Sequence, residues 1–175
     1  MGRDKSQLIV DGETLAVRTA ALLRNVVETA IEVGPGVSGL LSTREEPPGA
    51  GPLAAIAAGR RALRDRGHTG SALVIACDLP FLSEALLRFL VDWDSPGTVV
   101  PVVGGRPQPL CAKWGHHDLD GAGQLVDDGV RSLKHLTTQP DVVLLDEAAW
   151  RHVATDVQFS DVDSPADLGR LGLTS

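Results

Sequence analysis

The sequence is poor in the features that mark several broad classes of protein. Its two cysteines, Cys77 and Cys111, lie far apart inside apolar runs and form no C-x-x-C pair, so we expect reduced, buried thiols in a cytoplasmic protein. No apolar run reaches the roughly 20 residues that a membrane-spanning helix needs, and no signal-peptide pattern is found. These features argue against a disulfide-stabilised scaffold and against a membrane as partner.

Positive charge is also scarce. The net charge is −7 and the isoelectric point is about 5.1, which argues against a nucleic-acid partner because a polyanion would need a basic surface. A small phosphorylated ligand is compatible with this charge, since a few local cations and a metal ion are enough to bind it. Lys5, Lys113 and Lys134 are the three lysines among 16 basic residues, so the position of each lysine is informative.

The alternation of helical and strand-like segments is the main indication of the fold. With 175 residues, 43% apolar and 22% charged, residues 1–175 are predicted to form one globular domain. The pattern predicts an α/β domain with three layers and a mostly parallel sheet. Predicted helices lie within residues 15–30, 52–66, 84–91, 118–126 and 132–136, with a last one opened by Ser164 and Pro165. Predicted strands lie within residues 29–33, 38–43, 71–78, 98–103, 109–114 and 141–146.

Asp78 is the first candidate for chemistry. It ends the apolar run SALVIACD, which has the length and composition of a strand covered on both faces. Ligands of open parallel sheets bind beyond the carboxyl ends of the strands, and Mg²⁺ prefers carboxylate oxygens there. The alternative role, capping the next helix, is better filled by Ser83. We therefore predict that Asp78 binds a metal ion.

Two further segments are weaker candidates when taken alone. Gly51 and Pro52 open a helix, and helix N-termini accept anions, although the same pair is typical of an ordinary helix start. Lys5 follows a glycine and is a suitable cation for nucleotide phosphates, although a lysine near a chain terminus is usually just exposed. Glu46 alone is interpreted as a solvated loop charge.

The last candidates are Asp161, Asp163 and Arg131. Asp161 and Asp163 alternate in DVDSPADL, so on an extended segment their carboxylates point the same way. They fit a second metal or substrate contact about as well as plain surface charge. Arg131 lies in the turn DDGVRS, where it either reaches a phosphate or is solvated.

The order of the motifs carries more information than any one of them. M-G-R-D-K, then G-P-L-A-A-x-x-A-G, C-D-L-P-F-L, G-R-x-Q-P-L and D-V-D-S-P-A-D-L follow one another along essentially the whole chain. This series resembles the molybdenum cofactor guanylyltransferases, the MobA family of the nucleotidyltransferase superfamily. The resemblance implies a Rossmann-like fold and transfer of GMP from GTP to the molybdopterin cofactor, with Mg²⁺ as cofactor and release of pyrophosphate.

The resemblance also implies roles for particular residues. Lys5 matches the phosphate-binding lysine of the M-G-x-D-K signature, and Asp78 matches the aspartate that binds Mg²⁺ and GTP. Glu46 lies near the acidic position that precedes G-P-L and helps to recognise the nucleotide, which also places Gly51, Pro52 and Leu53 at the nucleotide. Arg131, Asp161 and Asp163, from the residue patterns described above, are predicted to bind substrate. The implied partners are GTP and molybdopterin, with molybdenum-insertion proteins or molybdoenzyme chaperones as further candidates.

The chain departs from the family pattern in two places. Asp161 and Asp163 stand where the family has asparagines, which is compatible with a metal role and weakens an amide-donor role. The family signature also begins with a strand and a glycine-rich L-A-G-G segment before M-G-x-D-K. We therefore expect the first strand, normally central in the sheet, to be encoded upstream of Met1, a hypothesis that the upstream reading frame tests.

Three alternatives for the function remain open. The chain is a guanylyltransferase, a molybdopterin cytidylyltransferase or other nucleotidyltransferase, or a non-catalytic nucleotide- or cofactor-binding protein. The last alternative gains weight if the coding region starts at Met1.

Overall fold

The computed structural model describes residues 5–162 together with Asp167 and Gly169. Helices and strands alternate along most of the chain. The strands are β1 (Ile9–Val10), β2 (Glu13–Thr14), β3 (Ile31–Val33), β4 (Leu41–Thr43), β5 (Ala72–Ile75), β6 (Val99–Val103), β7 (Arg106–Pro107), β8 (Cys111–Trp114) and β9 (Val143–Leu145). The helices are α1 (Leu15–Val26), α2 (Pro52–Arg64), α3 (Glu84–Asp92), α4 (His116–Asp127), α5 (Lys134–Thr137) and α6 (Glu147–Trp150), with 3₁₀ turns at Lys5–Gln7 and Asp156–Phe159.

The strands form three separate sheets among the described residues. β1 and β2 make a small antiparallel hairpin, and β3 pairs in parallel with β4. The third sheet has the order β5-β8-β6-β7, with β9 paired in parallel to β6. β8 runs antiparallel to both β5 and β6, so β5, β6 and β9 point the same way. Both β3 and β5 therefore have one edge without a strand partner in the described part of the chain.

Two hydrophobic clusters lie on opposite faces of the third sheet. Successive strand residues alternate between them, as the period of two in a strand requires. Val99 and Cys111 belong to the cluster that contains α3, whereas Val100 and Ala112 belong to the cluster that contains α2 and α4. Leu22, Leu23 and Val26 of α1 also pack against the first cluster. This arrangement of helices on both faces confirms the predicted three-layer α/β class.

Local sequence explains where several helices begin. Thr14 and Ser83 accept hydrogen bonds from the backbone N–H groups of Val17 and Leu86, and so cap α1 and α3. Pro52 occupies the first position of α2, where its missing N–H group costs nothing. Gly51, the residue before it, has φ of 98°, a conformation that glycine adopts without strain.

The structure differs from the predicted elements in three respects. The described pairings make a mixed rather than a mostly parallel sheet, because β8 is inserted antiparallel between β5 and β6. The strand predicted over residues 71–78 is limited to Ala72–Ile75 and is half-buried instead of fully covered. The hairpins and the helix α6 carry too few residues for a periodic pattern and were not predicted. The helix predicted after Ser164 and Pro165 begins outside the described residues.

Candidate functional site

A large cleft separates β3 from β5. One side is formed by residues 27–33 and the other by residues 71–78, with α1 and α2 contributing side chains; its volume is about 780 Å³. Ser6, Pro52 and Asp78 line this same cleft. We refer to it as the β3–β5 cleft. The cleft brings together Ser6, Pro52 and Asp78, which are at least 26 residues apart along the chain.

Asp78 lies where the sequence predicted it, beyond the carboxyl end of β5. Its side chain is half-buried and lines the cleft. Its backbone carbonyl accepts a hydrogen bond from the N–H of Val162, at 3.0 Å. Because Val162 is fully buried, against Leu8, Val10 and Leu15, this contact fixes the segment that carries Asp161 next to Asp78. Asp161 itself is exposed to solvent.

The N-terminus of α2 opens at the cleft. Gly51 provides no side chain to cap the helix, so the first-turn N–H groups are not occupied by the capping contact that serines and aspartates usually supply. Pro52 lines the cleft, whereas Leu53 is fully buried and fixes the helix against the sheet. The predicted Gly51-Pro52-Leu53 motif therefore combines an anion-accepting helix end with a packing anchor.

The other predicted site residues are placed as follows. Glu46 is exposed in the loop before α2, where Glu45 accepts a hydrogen bond from the N–H of Gly49 at 3.0 Å. The guanidinium of Arg131 donates to the carbonyls of Val126 and Val130, at 2.8 and 3.1 Å. Arg131 thus caps the C-terminal end of α4, although its backbone carbonyl lies near Gly51.

Two predicted residues cannot be placed in the site. The backbone of Lys5 starts the first 3₁₀ turn, directly before the cleft-lining Ser6. Asp163 lies outside the described residues. Their proposed roles remain predictions.

Glu32 organises one rim of the cleft and was not predicted. Its carboxylate accepts hydrogen bonds from the backbone N–H groups of Gly36, Val37 and Ser38, the last at 2.8 Å. Burial alone would raise the pKa of Glu32, but the hydrogen bonds from Ser38, Val37 and Gly36 outweigh it and lower that pKa. A charged residue inside the apolar strand segment AIEV was the available signal.

A second group of potential metal ligands lies at the other end of the sheet. Donor atoms of His117, Asp118 and Asp141 lie within 4.8 Å of one another. Asp118 is buried and accepts a hydrogen bond from Thr98. These residues adjoin the end of β8, which pairs with the first residue of β5. The length of β5 and the turn that follows it separate that end of the strand from Asp78, so this group is not the metal site predicted at Asp78.

Comparison with known proteins assigns the chain to a family. Residues 1–140 match the family model described as the MobA-like NTP transferase domain. The chain belongs to this nucleotidyltransferase family. A protein of Pelotomaculum thermopropionicum, named probable molybdenum cofactor guanylyltransferase, is 32% identical over 96% of this chain and 83% of its own length. A protein of Chloroflexus aggregans with the same name is 31% identical over 95% of this chain and 85% of its own length.

A solved structure supports the fold assignment. The molybdopterin-guanine dinucleotide biosynthesis protein A of Archaeoglobus fulgidus superposes with a TM-score of 0.73 at 22% sequence identity, over 97% of this chain and 91% of that chain. This superposition confirms the Rossmann-like nucleotidyltransferase fold, and the family match and the two relatives confirm the resemblance to the MobA family. Among the residues that the structure describes, no helix is both long and apolar enough to cross a membrane.

Proposed function

We propose that the protein is a cytoplasmic molybdenum cofactor guanylyltransferase that transfers GMP from GTP to molybdopterin. The observation that carries this proposal is the meeting, in one cleft, of Asp78 beyond the end of β5 and the N-terminus of α2. Membership of the MobA-like family and the names of the relatives supply the reaction and the substrates. Together they favour a site for a nucleoside triphosphate.

The reaction needs no covalent nucleophile from the protein. The terminal phosphate of molybdopterin attacks the α-phosphorus of GTP, one P–O bond forms, and the bond to pyrophosphate breaks. The protein must hold two anions close together and offset their repulsion. The N–H groups of the first turn of α2 provide positive potential for a phosphate, and Lys5 is proposed to add a cation near Ser6.

The residues at Asp78 fit Mg²⁺. The available donors are carboxylate oxygens, from Asp78 and from Asp161 on the adjoining segment, and Mg²⁺ is commonly bound by one or two carboxylates together with substrate phosphates. When bound, the ion supplies positive charge to the leaving pyrophosphate. Asp78 holds the ion in this proposal, and the hydrogen bond from Val162 to its backbone keeps it at the strand end.

The substitution Asp78→Asn tests the assignment because it keeps the size of the side chain and removes its charge. With GTP, molybdopterin and Mg²⁺, we expect pyrophosphate release to fall by about 100-fold or more, while the circular dichroism spectrum and the urea midpoint stay unchanged. Asp94→Asn, at an exposed acid outside the cleft, is the matched control and should retain full activity. An Asp78→Asn variant with undiminished turnover would exclude a metal-binding role.

The same assay separates the alternatives. Faster pyrophosphate release with CTP than with GTP would identify a cytidylyltransferase. Nucleotide binding without pyrophosphate release, in the presence of molybdopterin and Mg²⁺, would identify a binding protein rather than an enzyme.

A further inference from the structure

Asp118 is a buried carboxylate that the proposed reaction does not use. Its side chain is only 8% exposed. One oxygen, Oδ2, accepts a hydrogen bond from the hydroxyl of Thr98, whereas Oδ1 accepts none from the residues that the structure describes. A buried carboxylate with a single neutral donor is costly, because it loses most of its hydration. A positively charged partner would offset this cost.

Helix capping does not provide that partner. Asp118 lies in the first turn of α4, where the helix dipole favours a carboxylate. Within the described part of the chain, however, no N–H group of that turn donates to Asp118; the hydrogen bond comes from Thr98, directly before β6. Oγ1 of Thr98 also accepts a hydrogen bond from the N–H of Gly115, at 2.9 Å, so its own proton is directed to Asp118. This pair of contacts fixes the carboxylate and leaves Oδ1 available.

Two exposed donors lie beside this carboxylate. Nδ1 of His117 is 4.0 Å from Oδ1 of Asp118, and donor atoms of His117, Asp118 and Asp141 all lie within 4.8 Å of one another. Tetrahedral ligands at about 2.0 Å from Zn²⁺ are about 3.3 Å apart, so each pair has to close by at most about 1.5 Å. His117 and Asp141 can make this movement because both side chains are exposed.

The backbone already holds these segments together. A Cβ atom added to Gly115 would lie 2.9 Å from the backbone of Gly97, and one added to Gly97 would lie 3.3 Å from the carbonyl oxygen of Asp141. The N–H of Val143 donates to the carbonyl of Thr98, at 2.9 Å. The starts of α4, β6 and β9 thus meet at this point, which reduces the conformational cost of binding an ion.

We propose that His117, Asp118 and Asp141 bind a Zn²⁺ ion, with water completing its coordination, at a metal site separate from Asp78. An imidazole nitrogen beside two carboxylates suits Zn²⁺, whereas Mg²⁺ and Ca²⁺ prefer oxygen ligands. Asp118 supplies the fixed ligand, and Thr98 orients it. The ion offsets the buried charge of Asp118 and joins the start of α4 to the segment before β9.

The position of the site indicates a structural role. Trp114, at the end of β8, pairs with Ala72, the first residue of β5, and Asp78 lies beyond the other end of β5. Substrates of open α/β sheets bind at the carboxyl ends of the parallel strands. The Zn²⁺ site therefore contributes to stability and is independent of the proposed reaction.

Titration with ZnCl₂ tests the site on the 175-residue chain, prepared without an affinity tag and freed of metal by a chelator. Isothermal titration calorimetry should show one Zn²⁺ bound per chain, also in excess Mg²⁺. At free Zn²⁺ of 100 times the dissociation constant, the melting temperature should rise by about 5–10 °C. Asp78→Asn should bind Zn²⁺ with unchanged affinity, which separates this site from the proposed magnesium site.

Substitution of the exposed ligands identifies the site without disturbing the core. His117→Ala and Asp141→Asn should each weaken Zn²⁺ binding at least about tenfold and reduce the rise in melting temperature. His116→Ala is the matched control, because His116 is the adjacent exposed histidine and does not belong to the group; it should bind Zn²⁺ as the unsubstituted chain does. Absence of Zn²⁺ binding by the unsubstituted chain, or equal affinities of His117→Ala and His116→Ala, would overturn the proposal.

Discussion

Arg60 is the residue whose removal we expect to be most costly to the fold. Its side chain is only 4% exposed and lies at the centre of a network between α2, α4 and the loop before β5. Its Nε donates to Asp120 Oδ1 at 2.7 Å, and its Nη atoms donate to the carbonyls of Thr69 and Gly70 at 2.7 and 2.9 Å. A longer contact reaches the carbonyl of His68, at 3.4 Å. Arg60 therefore holds the entrance to the strand that ends at Asp78.

The expected cost of Arg60→Met follows from these contacts. Hydrogen bonds to charged groups contribute about 1.5–3 kcal/mol each, and three of the four contacts of Arg60 are short. Thr69, Gly70 and Asp120 are exposed and regain water when Arg60 is removed, so the full sum does not apply. We expect a loss of about 3 kcal/mol in the free energy of unfolding. For a chain of this length, that loss lowers the melting temperature by about 9 °C.

Urea unfolding followed by circular dichroism measures this loss, with the m-value checked for constancy. Arg61→Met is the matched control, because Arg61 is the next residue of α2 and is exposed; it should change the free energy by less than about 0.5 kcal/mol. Arg60→Lys should recover only part of the loss, since one ammonium group cannot reach the positions of a planar guanidinium. If Arg60→Met were no less stable than Arg61→Met, the network would have no role in stability.

Two other predictions concern the rim of the cleft and the end of β8. The hydrogen bonds from residues 36–38 lower the pKa of Glu32 against the effect of burial. The stability that these bonds contribute is therefore complete above the pKa of Glu32 in the unfolded chain and is lost as the pH falls through its pKa in the folded protein. Amide NMR signals of Gly36 and Ser38 should titrate with a midpoint below the usual glutamate pKa, and Glu32→Gln should abolish this pH dependence. Gly115→Ala should destabilise the fold by about 1–3 kcal/mol in urea unfolding, because a Cβ atom would lie 2.9 Å from the backbone of Gly97.

Each of these predictions has a matched test. A Glu32 midpoint at or above the usual value would show that the loop contacts are not maintained in solution. Gly121→Ala, inside the helix α4 that Gly115 precedes and with nothing within 4 Å of the added Cβ, should stabilise the protein by about 0.5–1 kcal/mol. Gly115 already has φ of −66°, a conformation that alanine adopts without strain, so only the contact with Gly97 can make Gly115→Ala destabilising. If both substitutions changed the free energy of unfolding in the same direction, this steric explanation would be wrong.

The sequence predicted the elements whose signals are local. The apolar spacing of α1, the Pro52 start of α2 and the Ser83 cap of α3 each depend on neighbouring residues alone, and all three are confirmed. The reduced thiol predicted at Cys111 is also confirmed as buried, and burial raises its pKa to about 12. Cys77, predicted to be buried as well, is only half-buried because it lines the cleft.

Features that depend on distant partners could not be predicted in this way. Lys113 reads as a strand residue, but its buried ammonium group donates to the carbonyls of Val91 and Trp93 and so caps the C-terminal end of α3. These carbonyls lie 22 and 20 residues away along the chain, at positions that neither a residue type nor a spacing identifies.

The position of Asp78 combines both kinds of information. The place of Asp78 at the end of an apolar strand is a local property and was predicted. The contacts that hold this strand end in position come from elsewhere in the chain. Arg60 fixes the start of β5, β8 pairs with one edge, and the N–H of Val162 holds the carbonyl of Asp78. The other edge of β5 faces the β3–β5 cleft. A substitution at any of these three supports should therefore displace the proposed metal-binding carboxylate without touching it.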